Sequence, residues 1–142
     1  MLNLSAGKIG IANVEINPKT SKDLFVSSKL KDKVIEEKIT PKGDGTYSRY
    51  ELGRQKIGDD IFLVSLIFDN DKIDMLTISF IIDNETSSWD TWSEETEIFR
   101  RELNSKWLYK YLGSPPYKYD WGEISSDFDA KAGFSYITIR YY

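Results

Sequence analysis

The chain has 142 residues, 40% hydrophobic, 30% charged and 14% aromatic, with a net charge of −4, no cysteine and no histidine. That length suits one domain, which buries roughly 68–70% of the surface of its unfolded chain, and the aromatic content excludes a disordered chain. Without Cys or His, disulfides, thiolate nucleophiles, sulfur-ligated zinc, an imidazole base and a Ser-His-Asp triad are all excluded.

Residues 1–18 carry no charged-then-apolar signal pattern, so the reading is cytoplasmic. Residues 9–16 read as an opening strand through Ile9, Ile11, Val14 and Ile16, with a phase change that suggests a bulge. Thr20 or Ser21 caps a short N-terminal helix over about 21–30, anchored by Leu24, Phe25 and Leu30. Residues 29–42 are basic, and 34–39 suit either a strand or more helix. Lys42-Gly43-Asp44-Gly45 is a turn, and 47–52 a strand.

The clearest feature is a hairpin. The run 61–68 is β-rich, Asn70-Asp71 suits a two-residue turn, and the return arm over 72–82 places Leu76, Ile78, Phe80 and Ile82 on one face. The first arm is apolar on both faces, with Phe62, Val64, Leu66 and Phe68 on one and Ile61, Leu63 and Ile67 on the other. It is therefore expected to be central and covered on both sides. The cover is the first helix, the opening strand or a second chain. At eight residues it is far short of the roughly 20 that a membrane helix needs.

Residues 92–112 form the long helix. Thr91 and Glu94 have capping-box spacing, with Ser93 the rival cap. Glu94, Glu95 and Glu97 sit early and Lys106 and Lys110 late, as the helix dipole favours. Phe99, Leu103, Trp107 and Tyr111 recur at four-residue spacing as the buried face, and Glu97 with Arg101 supports the solvent face. Gly113 and Pro115-Pro116 end the helix. Two strands follow, one carrying Tyr117, Tyr119 and Trp121, the other covering 134–142. No repeat or linker interrupts the chain. The fold class is α+β: a single domain over 1–142 with an antiparallel sheet of five to six strands, one long helix and one short one.

Chemistry-bearing patterns are few. Asp127 and Asp129 have Asp-x-Asp spacing, but Lys131, Ala132 and Thr138 stand where a calcium loop needs an oxygen ligand, Gly and Glu. They read as a hairpin turn. Asp69 and Asp71 read as a solvated turn. Tyr117, Tyr119 and Trp121 fit a sugar-stacking row no better than a core row. Nothing calls for a metal or cofactor.

Charge is uneven: residues 1–58 hold 11 Lys and Arg against 7 Asp and Glu, and residues 59–142 hold 8 against 16. That balance excludes nucleic acid as a partner. Residues 83–97 hold six acids and no base, with Trp89 and Trp92 among them. Aromatic anchors in a charged rim suit a protein contact, so Trp89, Asp90, Trp92, Glu94 and Glu95 form the candidate partner-binding surface, and its partner is expected to be cationic. The competing reading has the Trp pair stapling the helix start to the sheet.

The stretches Ser88-Trp89-Asp90-Thr91-Trp92-Ser93-Glu94-Glu95, Trp107-Leu108, Leu112-Gly113, Trp121 through Asp129 and Ser135-Tyr136-Ile137-Thr138-Ile139 resemble a set of small uncharacterised bacterial α+β proteins of the kind found among toxin-immunity and accessory genes. The resemblance implies a bacterial binding protein and carries over no catalytic residue. The expected function is a non-catalytic protein-binding module such as an immunity or inhibitor protein. The alternatives are a small-ligand-binding or self-associating domain, the latter as a homodimer, and a carboxylate-based hydrolase.

Overall fold

The computed structural model describes residues 2–82, 93–129 and 133–142. A small antiparallel sheet opens the chain, with β1 (Leu2–Asn3), β2 (Lys8–Ile11) and β3 (Val14–Ile16) in that order. The phase change in the opening run is a hairpin rather than a bulge. Ala12 and Asn13 both have positive φ, 50° and 66°, and Ile11 pairs with Val14 across them. Two consecutive left-handed residues match the twist of a tight hairpin.

α1 (Lys22–Val26) is capped by Ser21, whose Oγ accepts from the Leu24 N–H at 3.0 Å. The helix stops short of residue 30 because Ser28 turns extended and caps a separate 3-10 turn, Lys29–Lys33. Phe25 and Leu30 are buried, but Leu24 is 63% exposed and anchors nothing.

The main sheet has seven strands, not five to six: β4 (Glu36–Lys42), β5 (Gly45–Ile57), β6 (Asp60–Asp69), β7 (Lys72–Phe80), β8 (Tyr117–Tyr119), β9 (Gly122–Asp129) and β10 (Phe134–Tyr141). Their order is β4-β5-β6-β7-β10-β9-β8, and every pair is antiparallel. β4 resolves the ambiguous basic stretch as a strand. The aromatic strand after the helix is two strands, because Asp120-Trp121 turns the chain between Tyr119 and Gly122. The Asp127–Asp129 segment lies in β9 and is not a turn. The 60–80 hairpin forms as expected, with Asn70 at φ 54°. Asp71 there serves α1, its Oδ1 accepting from the Asp23 N–H at 3.0 Å.

The described covering elements lie on one sheet face. Phe25 packs 4.8 Å from Tyr50 and 5.5 Å from Phe68, ring centre to ring centre, at the β5–β6 end. The small sheet adds Ile9, Ile11 and Ile16 to the same core. Near the other end, α2 (Glu94–Leu112) lies over β7, β10 and β9, with Trp107 5.0 Å from Phe62. The first strand of the long hairpin is central, and no described element covers its second face; α1 and the small sheet, two of the expected covers, lie on the other. There Ile61 is 45% exposed, and Leu63 and Ile67 are half-buried.

The cap of α2 is Ser93, whose Oγ accepts from the Thr96 N–H at 3.1 Å. Its buried face is also turned from the expected one. Glu97, Arg100, Asn104, Trp107 and Leu108 are buried, whereas Phe99 is 50% exposed. The expected Glu97–Arg101 surface pair is replaced by a buried pair, Glu97 with Arg100 at 3.2 Å. Glu97 Oε1 also accepts from the Ser135 N–H at 2.8 Å, Arg100 donates to the Phe80 carbonyl, and Asn104 Oδ1 accepts from the Phe80 N–H at 3.3 Å. The helix thus satisfies backbone groups near the ends of β7 and β10 that the sheet leaves unpaired. Burial raises the Glu97 carboxyl, opposed by the Ser135 N–H, and lowers Arg100 to about 10.

The N-terminal segment is clasped by the last strands. Trp121 donates from Nε1 to the Ser5 carbonyl at 2.8 Å, and the buried Tyr141 hydroxyl donates to the Gly7 carbonyl at 2.9 Å. Trp121 is half-buried, stacked on Tyr119 at 5.3 Å between ring centres and 6° between planes. Tyr117 is buried, its hydroxyl donating to the Gly113 carbonyl at 2.7 Å. These three rings therefore present no common platform to a sugar.

Candidate functional site

The uncovered sheet face is a trough of about 1120 Å³. Its shape follows from the strands. Register shifts at Glu51/Gly53 and at Ile67/Phe68 mark bulges, which raise the local twist and bend the sheet. Depth shows in its floor: Ser65, Ser79 and Thr138 are only 6%, 3% and 9% exposed although no described element covers them.

Strand pairing sets its chemistry in rows. One runs Glu51–Ser65–Thr77–Thr138–Ser125 across five strands, wholly polar. The next runs Arg49–Ile67–Met75–Arg140–Glu123–Lys118, charged at both ends and apolar in the middle. β9 sends Glu123, Ser125, Asp127 and Asp129 to this face, since alternate residues share a side.

Several of these groups are held in place. Arg49 Nε donates to Glu51 Oε1 at 2.6 Å, and Ser65 Oγ donates to Glu51 Oε2 at 2.5 Å. Ser125 Oγ donates to Asp127 Oδ2 at 2.6 Å. Tyr136 stands opposite Asp127 on the neighbouring strand. Burial raises its phenol, Asp129 and Asp127 raise it further, and Arg49 and Arg140 oppose them. Tyr136 remains protonated at neutral pH and offers a hydrogen-bond donor, not a nucleophile or base. No group of three or more Asp or Glu among the described residues is placed to hold a metal ion.

Of the surface expected from sequence, Trp89, Asp90 and Trp92 lie outside the described residues. Glu94 and Glu95 are exposed in the first turn of α2, where they complement the helix dipole. Sequence reasoning missed the trough, whose residues come from strands far apart in the chain. The one signal available was the polar alternation of 122–129, Gly-Glu-Ile-Ser-Ser-Asp-Phe-Asp, which puts acids and serine on one side of a strand.

No protein-family model, no curated protein sequence and no solved structure matches this chain.

Proposed function

We propose that the chain is a non-catalytic protein-binding module whose trough receives a cationic segment of a partner protein, in the manner of an immunity or inhibitor protein. The observation that carries this reading is the trough itself: an open, polar-floored concavity with three carboxylates on its β9 side. Small-molecule sites occupy roughly 300–1000 Å³ and enclose most of their ligand. A trough of about 1120 Å³ that no described element covers is better filled by a chain segment. Glu51 is already occupied by Arg49 and Ser65, so an incoming cation would meet Glu123 and Asp127. Acidic residues lining a concave wall also steer a cationic partner and set its orientation. The neutral Tyr136 hydroxyl adds a donor to the lining of the trough.

The test is a titration of isotope-labelled protein with eight-residue Lys/Gly and Glu/Gly peptides, followed by amide chemical shifts. Lys/Gly peptides should shift residues 123–129 and 134–140, and Asp127→Lys should weaken them about tenfold, the scale of one charge-assisted contact. Equal response to both peptides, or shifts confined to Glu94 and Glu95, would reject the trough as the binding face.

A further inference from the structure

β8 pairs with β9 only from Gly122 to Ile124. Beyond that point Pro115-Pro116 precedes β8; proline has no N–H to extend the ladder. The outer edge of β9 from Ser125 to Asp129 therefore has no strand partner among the described residues. Strand geometry fixes which groups lie on that edge. Tyr119 and Gly122 close a two-residue hairpin, so the even-numbered residues of β9 turn their N–H and C=O toward β8 and the odd-numbered ones toward β10. The Tyr142 N–H donating to the Trp121 carbonyl at 2.9 Å fits this alternation. The N–H and C=O of Ser126 and Phe128 consequently point outward, with no strand partner among the described residues.

A groove of about 510 Å³ runs along this edge, between β9 and α2. Ser105 Oγ meets Ser126 Oγ at 3.3 Å on its floor. Leu108, Tyr109, Pro116 and Ile124 make its walls apolar, and Arg101 stands at its side. The opposite edge of the sheet differs. β4 is fully exposed but carries Pro41, Lys38 and Lys42, the residues that discourage strand addition. The Ser125–Asp129 run has neither proline nor lysine.

We infer that the β9 edge takes an extended segment of a partner protein as an eighth strand, with side chains alternating between apolar and basic. This rests on the proposed trough reading and specifies how the cationic segment is held. Main-chain bonds to Ser126 and Phe128 supply the affinity, and alternate side chains supply the selectivity. Side chains on one face of the added strand enter the apolar groove, where Arg101 repels a cation. Those on the other face lie over Asp127, where a lysine or arginine is favoured. Five residues span the free edge, about 16 Å at the rise of a strand.

The experiment uses the full chain and a seven-residue Lys/Val alternating peptide in millimolar excess, with the same peptide N-methylated along its bonding edge as the control. The expected results are slowed hydrogen exchange at the Ser126 and Phe128 amides by about tenfold, and at least a tenfold weaker affinity for the N-methylated peptide. Ser126→Pro, which removes one donor, should weaken binding similarly. Equal binding of both peptides to wild-type protein overturns the strand-addition model whether or not Ser126→Pro folds. In that outcome, shifts at Tyr136 and Thr138 would leave the trough reading standing. Binding of neither peptide to the protein removes both readings.

Discussion

Replacing Glu97 by alanine tests the buried contacts that seat α2. Arg100 is fully buried and Glu97 is 3% exposed, so the pair is isolated from water. Removing the carboxylate takes the Glu97 charge away from a buried guanidinium, and the Ser135 N–H loses its acceptor. Breaking a buried pair from one side costs about 3–5 kcal/mol. Arg100→Met should cost a similar amount, because it strands Glu97 and deprives the Phe80 carbonyl of its donor. In many proteins an apolar double replacement of such a pair is nearly neutral. Here the pair also satisfies backbone groups, each costing about 1–3 kcal/mol if left bare. The Glu97→Leu/Arg100→Met double variant should therefore lose about 3–5 kcal/mol, well short of the sum of the singles. Urea denaturation at constant m-value measures all of these. A loss below about 1 kcal/mol in Glu97→Ala, or strict additivity, would show that the pair does not carry the helix.

Three further outcomes are expected. Gly7→Ala should lose about 2–4 kcal/mol in denaturant, because Gly7 has φ 70° and a Cβ there would lie 2.9 Å from the Trp121 ring; a loss below 1 kcal/mol refutes this. Stability should fall above pH 10. Burial raises the Tyr141 phenol in the folded chain, while an unfolded tyrosine ionises near pH 10, so only the unfolded state releases the proton there. The contribution is whole below about pH 10 and declines by up to about 1.4 kcal/mol per pH unit as pH rises toward the folded value. Tyr141→Phe should make the alkaline slope shallower, and an unchanged slope would assign it elsewhere. Ser93→Ala should cost about 1 kcal/mol in thermal melts by removing the α2 cap, and a melt identical to wild type would move the cap to another residue.

The parts of the fold legible in the sequence are those with one dominant local signal. The β6–β7 hairpin has a β-rich arm, a turn that tolerates positive φ and an alternating return. The existence of α2 follows from its acidic start, basic end and terminal Gly-Pro. Its orientation does not, since hydrophobic periodicity assigns the inner face to Phe99 and Leu103. The structure gives inner positions to Glu97, Arg100 and Asn104, which are there to bond backbone groups of the sheet. β4 lacks apolar alternation because it lies wholly exposed at an edge. The end of β9, Asp127 to Asp129, reads as a turn because Asp dominates it, yet its polar side faces the trough. The candidate site is the least legible part: Glu51, Thr77, Tyr136 and Asp127 meet only through strand order, which no local pattern encodes.

The clasp of Ser5 and Gly7 by Trp121 and Tyr141 has a consequence for how the chain is made. Those contacts join residues 116 and 134 positions apart in sequence. During synthesis the first sheet leaves the ribosome with Ile9, Ile11 and Ile16 ready to be buried, but Trp121 and Tyr141 arrive only as the last strands are translated. At roughly 5–20 residues per second, the early segment waits on the order of ten seconds for those partners. Contacts of such long range also slow folding of the released chain, into the millisecond-to-second range of non-local β folds. The protein is thus most exposed to aggregation and proteolysis while its C-terminal strands are still missing, and a ribosome stalled before residue 121 would hold a chain without its fastening.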